Sequence, residues 1–402
     1  MVLPAADITS SAFRARAYDF YAKLRAQAPV HAVKLPSGQT AWLVSRYDDV
    51  AALLKDARLA KDRRNAAGSR PFSRLPGMLG FLQALERNML DLDAPDHTRL
   101  RSLVHVAFTP RLVDRMRPRI EQLSEELLAR AMGKGEIDLI ADYALPIPLT
   151  VISEMLGIPA TDQLRFHRWS NAVVASTAAA NFVRVLPAVW RFVRYLRKVI
   201  AAKKADPGDD LISALVQAEA AGDRLQEDEL IAMVFLLVVA GHETTVNLIG
   251  NGTLALMQFP EQLQRLRADP QLDATAVEEL LRFYSPIEVS TERYARELID
   301  LAGVTVPSGA LVYGLISSAN RDETQFEDPA RLDLGREKNR HLAFGQGIHY
   351  CLGAPLARLE GQIALRRLLE RMPRLRLAVS ESALRWRKGL NLRGLESLPV
   401  AW

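Results

Sequence analysis

Apolar residues recur at intervals of three and four along most of the chain, a spacing that predicts amphipathic helices. The clearest helical stretches are Phe13–Gln27, Arg117–Ala131, Asp228–Met257, Pro260–Ala268, Ala274–Tyr284 and Leu356–Arg371. Pro355 precedes the last stretch and suits the first turn of a helix, where the missing N–H is not needed. The chain is therefore predicted to be mainly α-helical.

Alternating apolar and polar residues, which predict strands, occur only in short pieces. Val30–Val33 and Ala41–Val44 flank a Pro-Ser-Gly turn and predict a β-hairpin. Ile299–Val306 and Ala310–Leu315 predict a second strand pair, joined by the turn Pro307–Gly309. A last set of strands is predicted near the C-terminus, at Leu375–Val379 and within Trp386–Val400.

Turn-forming residues mark loops at Asn65–Gly77 and Ala205–Asp209. No repeat, low-complexity tract or Pro/Ser-rich linker divides the chain. We therefore expect one domain, residues 1–402, that is mainly α with small peripheral β-sheets.

The composition is that of an ordinary globular protein, with 49% hydrophobic and 25% charged residues among 402. The first residues show neither the basic segment nor the apolar core of a signal peptide. The longest apolar run, Ile231–Ala240, is too short to span a bilayer. Because the chain also has one cysteine, we expect a cytoplasmic protein without a membrane anchor.

The formal net charge is +5, and several arginines lie close together in two helical stretches, at Arg111, Arg115, Arg117, Arg119, Arg358, Arg366, Arg367 and Arg371. Solvated helix faces account for most such residues. Nucleic-acid binding is not expected, because no helix-turn-helix, zinc finger or aromatic-interleaved basic stripe accompanies them. The other interpretation is docking of an acidic partner, since complementary charge speeds encounter.

The single cysteine, Cys351, lies among three glycines, Gly345, Gly347 and Gly353. A lone thiol excludes a disulfide within the chain and any all-cysteine zinc or iron–sulfur site. A buried core thiol, a nucleophile and an axial thiolate to a metal remain open. Just ahead of a helix, backbone N–H groups and the helix dipole favour the thiolate.

A second unusual segment interrupts an apolar helix with Gly241, Glu243 and Thr244. Ala240 and Thr244 are four residues apart on one face of the helix. The Thr244 hydroxyl can therefore donate a hydrogen bond to the Ala240 carbonyl and bend the helix there. The result is either a groove for a small molecule beside a hydroxyl and a carboxylate, or a packed Thr-rich helix with Glu243 in solvent.

The cysteine segment resembles the haem-binding loop of the cytochromes P-450, Phe-x-x-Gly-x-(Arg or His)-x-Cys-x-Gly, at every fixed position. The similarity runs from about Tyr18 to the C-terminus and implies the cytochrome P-450 fold. It implies that Cys351 is the axial thiolate ligand of haem b, a ligand that favours O–O cleavage. It also implies that the surrounding loop holds the cofactor, through Phe344, Gly345, His349 and Gly353.

Residues 240–244 resemble the oxygen-activating signature of the same family, (Ala/Gly)-Gly-x-(Asp/Glu)-Thr. The resemblance implies that Ala240 and Gly241 border the haem. It further implies that Thr244 hydrogen-bonds dioxygen and that Glu243 relays protons.

Other residues match the family in order and spacing. Glu279 and Arg282 fit its Glu-x-x-Arg helix, with Arg331 as the expected third member of a buried structural triad. The haem propionates are expected to be held by cationic or N–H groups, from His97, Arg101, Arg293 and His349.

The resemblance implies a haem-thiolate monooxygenase that inserts one atom of dioxygen into a hydrophobic small molecule, by hydroxylation or epoxidation. Electrons are expected from a ferredoxin and a ferredoxin reductase, because the chain has no flavin or Rossmann fingerprint. That ferredoxin would dock on arginines near the cysteine loop, and the enzyme would act as a monomer. A haem-binding sensor and a peroxide-using haem-thiolate peroxygenase are the main alternatives. A hydrolase with Cys351 as its nucleophile is a third.

The family's substrate-contacting segments correspond to residues 63–92 and 172–186, and to a few single positions, Leu236, Val239, Ala240, Val289 and Asn391. Most of these side chains are small and apolar, which predicts a roomy hydrophobic pocket. Macrolides, terpenoids, steroids and fatty acyl compounds fit equally well.

Overall fold

The computed structural model describes residues 7–66, 88–163, 165–166, 169, 186–220 and 223–402. Within this part of the chain the α-helices are α1 Ser11–Ala15, α2 Ala17–Gln27, α3 Tyr47–Leu53, α4 Asp96–Ala107, α5 Pro110–Arg115, α6 Arg117–Met132, α7 Pro146–Met155, α8 Leu186–Ala205, α9 Leu211–Gln217, α10 Glu227–Gln258, α11 Pro260–Ala268, α12 Asp273–Phe283, α13 Ile316–Ala319 and α14 Ala354–Arg371. The strands are β1 Val30–Lys34, β2 Thr40–Val44, β3 Leu59–Ala60, β4 Glu136–Asp138, β5 Glu219–Ala220, β6 Asp223–Arg224, β7 Arg293–Ala295, β8 Ile299–Leu301, β9 Val304–Val306, β10 Leu311–Gly314, β11 Arg376–Leu377 and β12 Pro399–Ala401.

The predicted helices are confirmed, with one interruption. The stretch from Phe13 to Gln27 is two helices, because Arg16 leaves the helical region at φ −124° and ends α1. Ser10 caps α1 by accepting a hydrogen bond from the Phe13 N–H at 3.2 Å. The sequence pattern missed several helices, among them α7 and α8. In α7 nearly all residues are apolar and buried, so that no polar face marks the period.

The chain divides into two compact units. Unit 1 comprises Met1–Arg70, Ile120–Leu145 and Thr244–Trp402, and unit 2 comprises Pro71–Arg119 and Pro146–Glu243. Unit 2 contains the helices α4, α5, α7, α8 and α9 and the two-stranded sheet β5–β6. The expectation of a single domain stays a prediction.

Unit 1 is built on a five-stranded sheet of order β1-β2-β10-β7-β3. The strands β1 and β2 form the predicted antiparallel hairpin, and β10 runs parallel to β2. Alternate residues of β10 enter different hydrophobic clusters, Val312 on one face and Leu311 and Tyr313 on the other. At β10 the sheet is therefore buried on both faces.

The second predicted strand pair is wrong in its pairing. The strand β8 pairs with β9, not with β10, across a tight turn at Ala302 and Gly303, both of which have positive φ. Positive φ at both central residues suits a two-residue hairpin. Near the C-terminus, β11 and β12 join β4 in a three-stranded sheet.

The helices α10 and α14 lie close together in unit 1. A Cβ added at Gly361 of α14 would lie 2.8 Å from the Leu248 side chain of α10. A Cβ at Gly250 would lie 2.4 Å from Ile140. A methyl group at either position would require the Leu248 or Ile140 side chain to move, so glycine allows close packing here.

By length and composition, α10 is the one helix in the described residues that could cross a membrane. The helix continues well past the short apolar run Ile231–Ala240. However, 56% of its most apolar 18-residue window is buried inside the protein, as in a core helix. This helix is therefore weak evidence for a membrane span.

The carboxylate of Glu279 is the centre of a buried polar network. Arg282 donates to both of its oxygens at 2.7 Å, and neither side chain is exposed. Arg336 donates from Nε at 3.1 Å and Asn339 from Nδ2 at 3.0 Å. A buried carboxylate is tolerated only with such partners.

Arg331 is not the third side chain of this network, contrary to the prediction. Its side chain is exposed, and only its carbonyl takes part, accepting from Arg282 at 3.1 Å. Arg336 takes the predicted place, five residues further along. The spacing of the motif located the correct loop but not the correct arginine.

We expect Arg336→Ala to lower the free energy of unfolding by about 1–3 kcal/mol, because it removes a charged donor from a buried carboxylate. Arg331→Ala should cost less than about 0.5 kcal/mol, as an exposed side chain. Glu279→Ala should cost roughly 3–5 kcal/mol, since it leaves Arg282 buried and unpaired. Urea unfolding of the three variants measures the order, and equal losses at Arg331 and Arg336 would contradict it.

Candidate active site

The loop before α14 is shaped by its own backbone hydrogen bonds. Gly345 and Gly347 have φ of 70° and 74°, a region that favours glycine. The Cys351 N–H donates to the Phe344 carbonyl at 2.9 Å, which closes the loop. The half-buried thiol stands just before the first turn of α14, where Gly353 is the N-cap residue. Free N–H groups at this helix end favour a thiolate.

The ring of Phe344 is held by a charged pair. The guanidinium of Arg358 lies 4.5 Å from the ring centroid and donates to Glu278 of α12 at 2.7 and 2.8 Å. His341 also lies against Glu278, at 3.1 Å from Nε2. Burial opposes ionisation of Glu278, but hydrogen bonds from Arg358 and His341 outweigh it and lower the pKa of this carboxyl to about 2. The pair is therefore ionised and fixes the start of the loop.

The proposed arginine patch beside this loop is neutralised within unit 1. Arg358 pairs with Glu278, and Arg366 donates from Nε to Asp273 at 3.0 Å. Arg367 lies 3.2 Å from the carboxylate of Glu370. These three residues therefore offer little net charge to a partner, and the docking prediction needs other cations.

The donor set at Cys351 suits a cofactor that brings its own ligands. Among the described residues, no group of three or more His, Cys, Asp or Glu could hold a metal ion. A metal at Cys351 would need its remaining ligands from a macrocycle such as a porphyrin. A Cβ at Gly353 would lie only 3.9 Å from Sγ, so glycine keeps the space beside the sulfur open.

Arg293 lies near the same loop. It is buried on β7 and donates from Nη2 to the Leu54 carbonyl at 3.3 Å. A Cβ at Gly347 would lie 3.1 Å from this same carbonyl oxygen. Leu54 thus adjoins both Arg293 and the turn Gly347–His349, which places a buried cation beside the loop.

The helix α4 of unit 2 carries the predicted residues His97 and Arg101. His97 and Arg101 are one turn apart, and His97 is buried. Burial first, and then the charge of Arg101, lower the pKa of His97. A neutral imidazole N–H beside a guanidinium is suited to a carboxylate such as a haem propionate.

The segment 240–244 lies within the continuous helix α10. Ala240 and Gly241 are exposed, and no described atom lies within 4 Å of a Cβ built at Gly241. His242 instead is buried, with Nδ1 2.7 Å from the Val238 carbonyl oxygen. Glu243 and Thr244 are half-buried. Ala240 and Gly241 therefore form an exposed part of α10 among the described residues, as the groove interpretation requires.

Comparison with known proteins agrees with this geometry. The cytochrome P450 family model matches residues 188–373. Cytochrome P450 107B1 of Saccharopolyspora erythraea is 48% identical over 391 residues, covering 97% of this chain and 96% of that protein. The polyketide biosynthesis cytochrome P450 PksS of Bacillus subtilis is 45% identical, covering 97% and 96%.

The cytochrome P450 monooxygenase PikC of Streptomyces venezuelae is 44% identical, covering 97% of this chain and 92% of that protein. The chain belongs to the cytochrome P450 family. The structure of PksS matches it with a TM-score of 0.92 at 44% identity, covering 100% of this chain and 99% of the other. A structure of P450BioI with an acyl carrier protein bearing hexadec-9Z-enoic acid matches with a TM-score of 0.89 at 38% identity, covering 98% and 100%.

The family confirms the mainly α fold and the haem with a cysteine thiolate, which in this chain is Cys351. The protein is a cytochrome P450 monooxygenase, and such enzymes use redox partners and hydrophobic substrates. The parts played by the other predicted residues stay predictions.

The predicted substrate segments are described only in part. Most of residues 63–92 and 172–186 lies outside the described residues. Leu236 and Val239 are half-buried on α10. Val289 packs in the core of unit 1, so packing alone explains it, while Asn391 donates to the Ser290 carbonyl at 2.9 Å. Asn391 therefore fixes the backbone beside Val289.

A carboxylic acid that the sequence analysis missed contacts Thr245, the residue after Thr244. Glu360 of α14 is fully buried, and its side chain hydrogen-bonds Thr245 of α10. Burial is the main cause that raises the pKa of Glu360 to about 8. The helical period held a signal, since Glu360 falls on the same face as the buried Leu356 and Ile363.

We expect the stability of this cytochrome P450 to fall as the pH rises from 4.5 to about 8, because ionising Glu360 costs more in the folded than in the unfolded chain. The loss attributable to this group is on the order of 5 kcal/mol. Glu360→Gln should remove this loss, and unfolding free energies at pH 5, 7 and 9 measure it.

The exposed Glu370 of the same helix provides the control. Glu370→Gln should keep the alkaline loss of the wild type. If Glu360→Gln keeps it too, the buried acid is not its source.

Proposed function

We propose that this cytochrome P450 hydroxylates or epoxidises a polyketide-type or long-chain acyl compound. The similarity to PksS over nearly the whole chain carries the proposal, because that protein is named for polyketide biosynthesis. P450BioI, solved with an acyl chain on a carrier protein, supports acyl substrates, free or tethered. The apolar side chains of Leu236 and Val239 beside the open face of α10 suit such a chain.

Haem bound through a cysteine thiolate supplies the activation of dioxygen. We assign the propionates to His97, Arg101, Arg293 and His349, of which the first two pair a neutral donor with a cation. Each buried cation needs an anion, and each propionate needs a donor.

Proton delivery is assigned to Glu243 and Thr244. Both are half-buried at the open face of α10, so the carboxylate can exchange protons with solvent and the hydroxyl can pass them inward. Ala240 and Gly241, one turn before, leave room for a small molecule beside the Thr244 hydroxyl. A haem protein that only senses a ligand does not need this pair.

For electron supply we propose a ferredoxin with its reductase, docking on the cysteine loop of a cytoplasmic monomer. Ile348 and Tyr350 are 55% and 40% exposed there. Lys55 contacts the loop at Gly347, and both Lys55 and Arg340 are exposed. The Arg340 carbonyl accepts from Tyr47, whose hydroxyl also meets the Gln346 side chain. An apolar centre with cations at its rim suits a small acidic protein.

With a ferredoxin, its reductase and NAD(P)H, we expect one oxygen atom to be added to macrolactones or acyl thioesters, seen as a 16 Da mass increase that carries label from ¹⁸O₂. Thr244→Ala should keep the thiolate-type Soret band of the reduced carbon monoxide complex. It should consume NAD(P)H at a similar rate but release hydrogen peroxide, with product falling about tenfold or more.

The alternatives give different outcomes in the same assay. Product from hydrogen peroxide at the rate seen with NAD(P)H would favour a peroxygenase. No product from any compound, with carbon monoxide still bound, would favour a sensor. Unchanged coupling in Thr244→Ala would remove the hydroxyl from proton delivery.

Ferredoxin-dependent reduction should slow by about tenfold in the double variant Lys55→Glu and Arg340→Glu, and should slow with rising salt in the wild type, because exposed charges are screened. Stopped-flow reduction under carbon monoxide measures the rate. Arg367→Gln is the matched control, since Arg367 is already paired with Glu370. A larger effect at Arg367 than at the double variant would move the docking surface to α14.

A further inference from the structure

The helix α8 carries a strong and partly unbalanced positive charge. Its 20 residues contain no acidic side chain but several basic ones, Arg191, Arg194, Arg197, Lys198, Lys203 and Lys204. Arg197 lies 3.4 Å from Asp228, and Lys203 lies 2.5 Å from Asp210. Carboxylates of unit 2 therefore neutralise part of this charge.

Three of the basic residues share one face of α8, and no carboxylate of the described residues neutralises their charge. Arg191, Arg194 and Lys198 are spaced by three and four residues and are exposed. None of them forms an ion pair with another residue in the part of the chain that the structure describes. The opposite side of α8 is buried through an apolar stripe, Val189, Phe192, Val193, Leu196, Val199 and Ile200. The charge thus points away from the core of unit 2.

An aromatic side chain lies within this charged face. Trp190 is 46% exposed, and the guanidinium of Arg194 lies 5.2 Å from its ring centroid. This contact holds Trp190 in place over one turn of the helix. We call Trp190, Arg191, Arg194 and Lys198 the α8 basic face.

The composition of the α8 basic face matches the centre of a protein-binding surface. Tryptophan and arginine are the residues that contribute most often to interface energy. A membrane surface is a poorer partner, because the apolar stripe that would enter the lipid is already buried within the protein. The positive charge of this face favours an acidic protein, because complementary charges speed association.

We propose that the α8 basic face docks the acidic carrier protein that presents an acyl substrate as a phosphopantetheine thioester. The proposal rests on the proposed function, which includes tethered acyl chains among the substrates. Docking would raise the effective concentration of the tethered chain without any change in the chemistry at Cys351. The carrier would then bind through residues other than the four that we assign to ferredoxin docking.

Binding of two probes to the haem-loaded protein tests the proposal. One probe is an acyl carrier protein with a tetradecanoyl chain on its phosphopantetheine arm, and the other is the same chain as its N-acetylcysteamine thioester. We expect the carrier to bind the wild type at least tenfold more tightly than the small thioester. The triple variant Arg191→Glu, Arg194→Glu and Lys198→Glu should lose that advantage and leave affinity for the small thioester unchanged.

The matched control changes the same charge on other exposed lysines and arginines, through Lys23→Glu, Lys34→Glu and Arg376→Glu. This control should bind the carrier within about twofold of the wild type. Trp190→Ala should weaken carrier binding about fivefold or more, and Trp190→Phe should weaken it less. Equal carrier affinity in the wild type and the α8 triple variant would overturn the proposal, as would equal losses in the triple variant and the control.

Failure of the proposed function gives a different result. Oxidation of the small thioester or of free macrolactones reports the substrate class and does not depend on α8. Charge-dependent carrier binding without oxidation of any acyl compound would support docking and count against the substrate class. Binding of phosphatidylglycerol vesicles in place of the carrier, lost in the same triple variant, would assign the α8 basic face to membranes and overturn the proposal.

Discussion

The conformation of the cysteine loop depends on the hydrogen bonds made by the buried carboxylate of Glu279. Removing a carboxylate from water is costly, so Glu279 must be surrounded by donors, and these come from distant parts of the chain. Arg282 satisfies it and then donates to the Asn320 carbonyl at 3.0 Å. The side-chain oxygen of Asn320 accepts from the Leu342 N–H at 2.7 Å, and the Leu342 carbonyl accepts from Gly345. A continuous set of hydrogen bonds therefore runs from one buried charge to the turn that carries the thiol.

The neighbouring Glu278 acts on the other side of the same loop. Two consecutive glutamates on a helix point about 100° apart, so one enters the network around Arg282 and the other meets Arg358. Arg358 belongs to the first turns of α14 and stacks on Phe344, whose carbonyl accepts from Cys351. Hydrogen bonds and ion pairs thus connect both ends of the loop to α12. The helix α12 therefore positions the thiol indirectly, through Asn320, Arg358 and Phe344.

The sequence predicts this region well where the physics is local. Gly345 and Gly347 have the positive φ that glycine allows, and α14 begins where Pro355 indicates. Contacts between distant residues were predicted less well. The choice of Arg336 over Arg331 depends on how the loop after residue 328 turns, and spacing carries no information about that path. The predicted pairing of Ile299–Val306 with Ala310–Leu315 fails for the same reason, since the turn at Ala302 instead pairs β8 with β9.

The pairing of charges also explains why sequence alone misplaces interaction surfaces. Arg358, Arg366 and Arg191 look alike in the sequence, yet the first two face carboxylates of α12 and the third faces solvent. An arginine whose charge is already matched loses its partner if it binds a second protein, so it gains little from docking. An exposed cation that has no carboxylate partner loses no ion pair when it binds a second protein. For this cytochrome P450, the surfaces to consider are therefore those where the fold leaves cations without carboxylates, and the α8 basic face is such a surface.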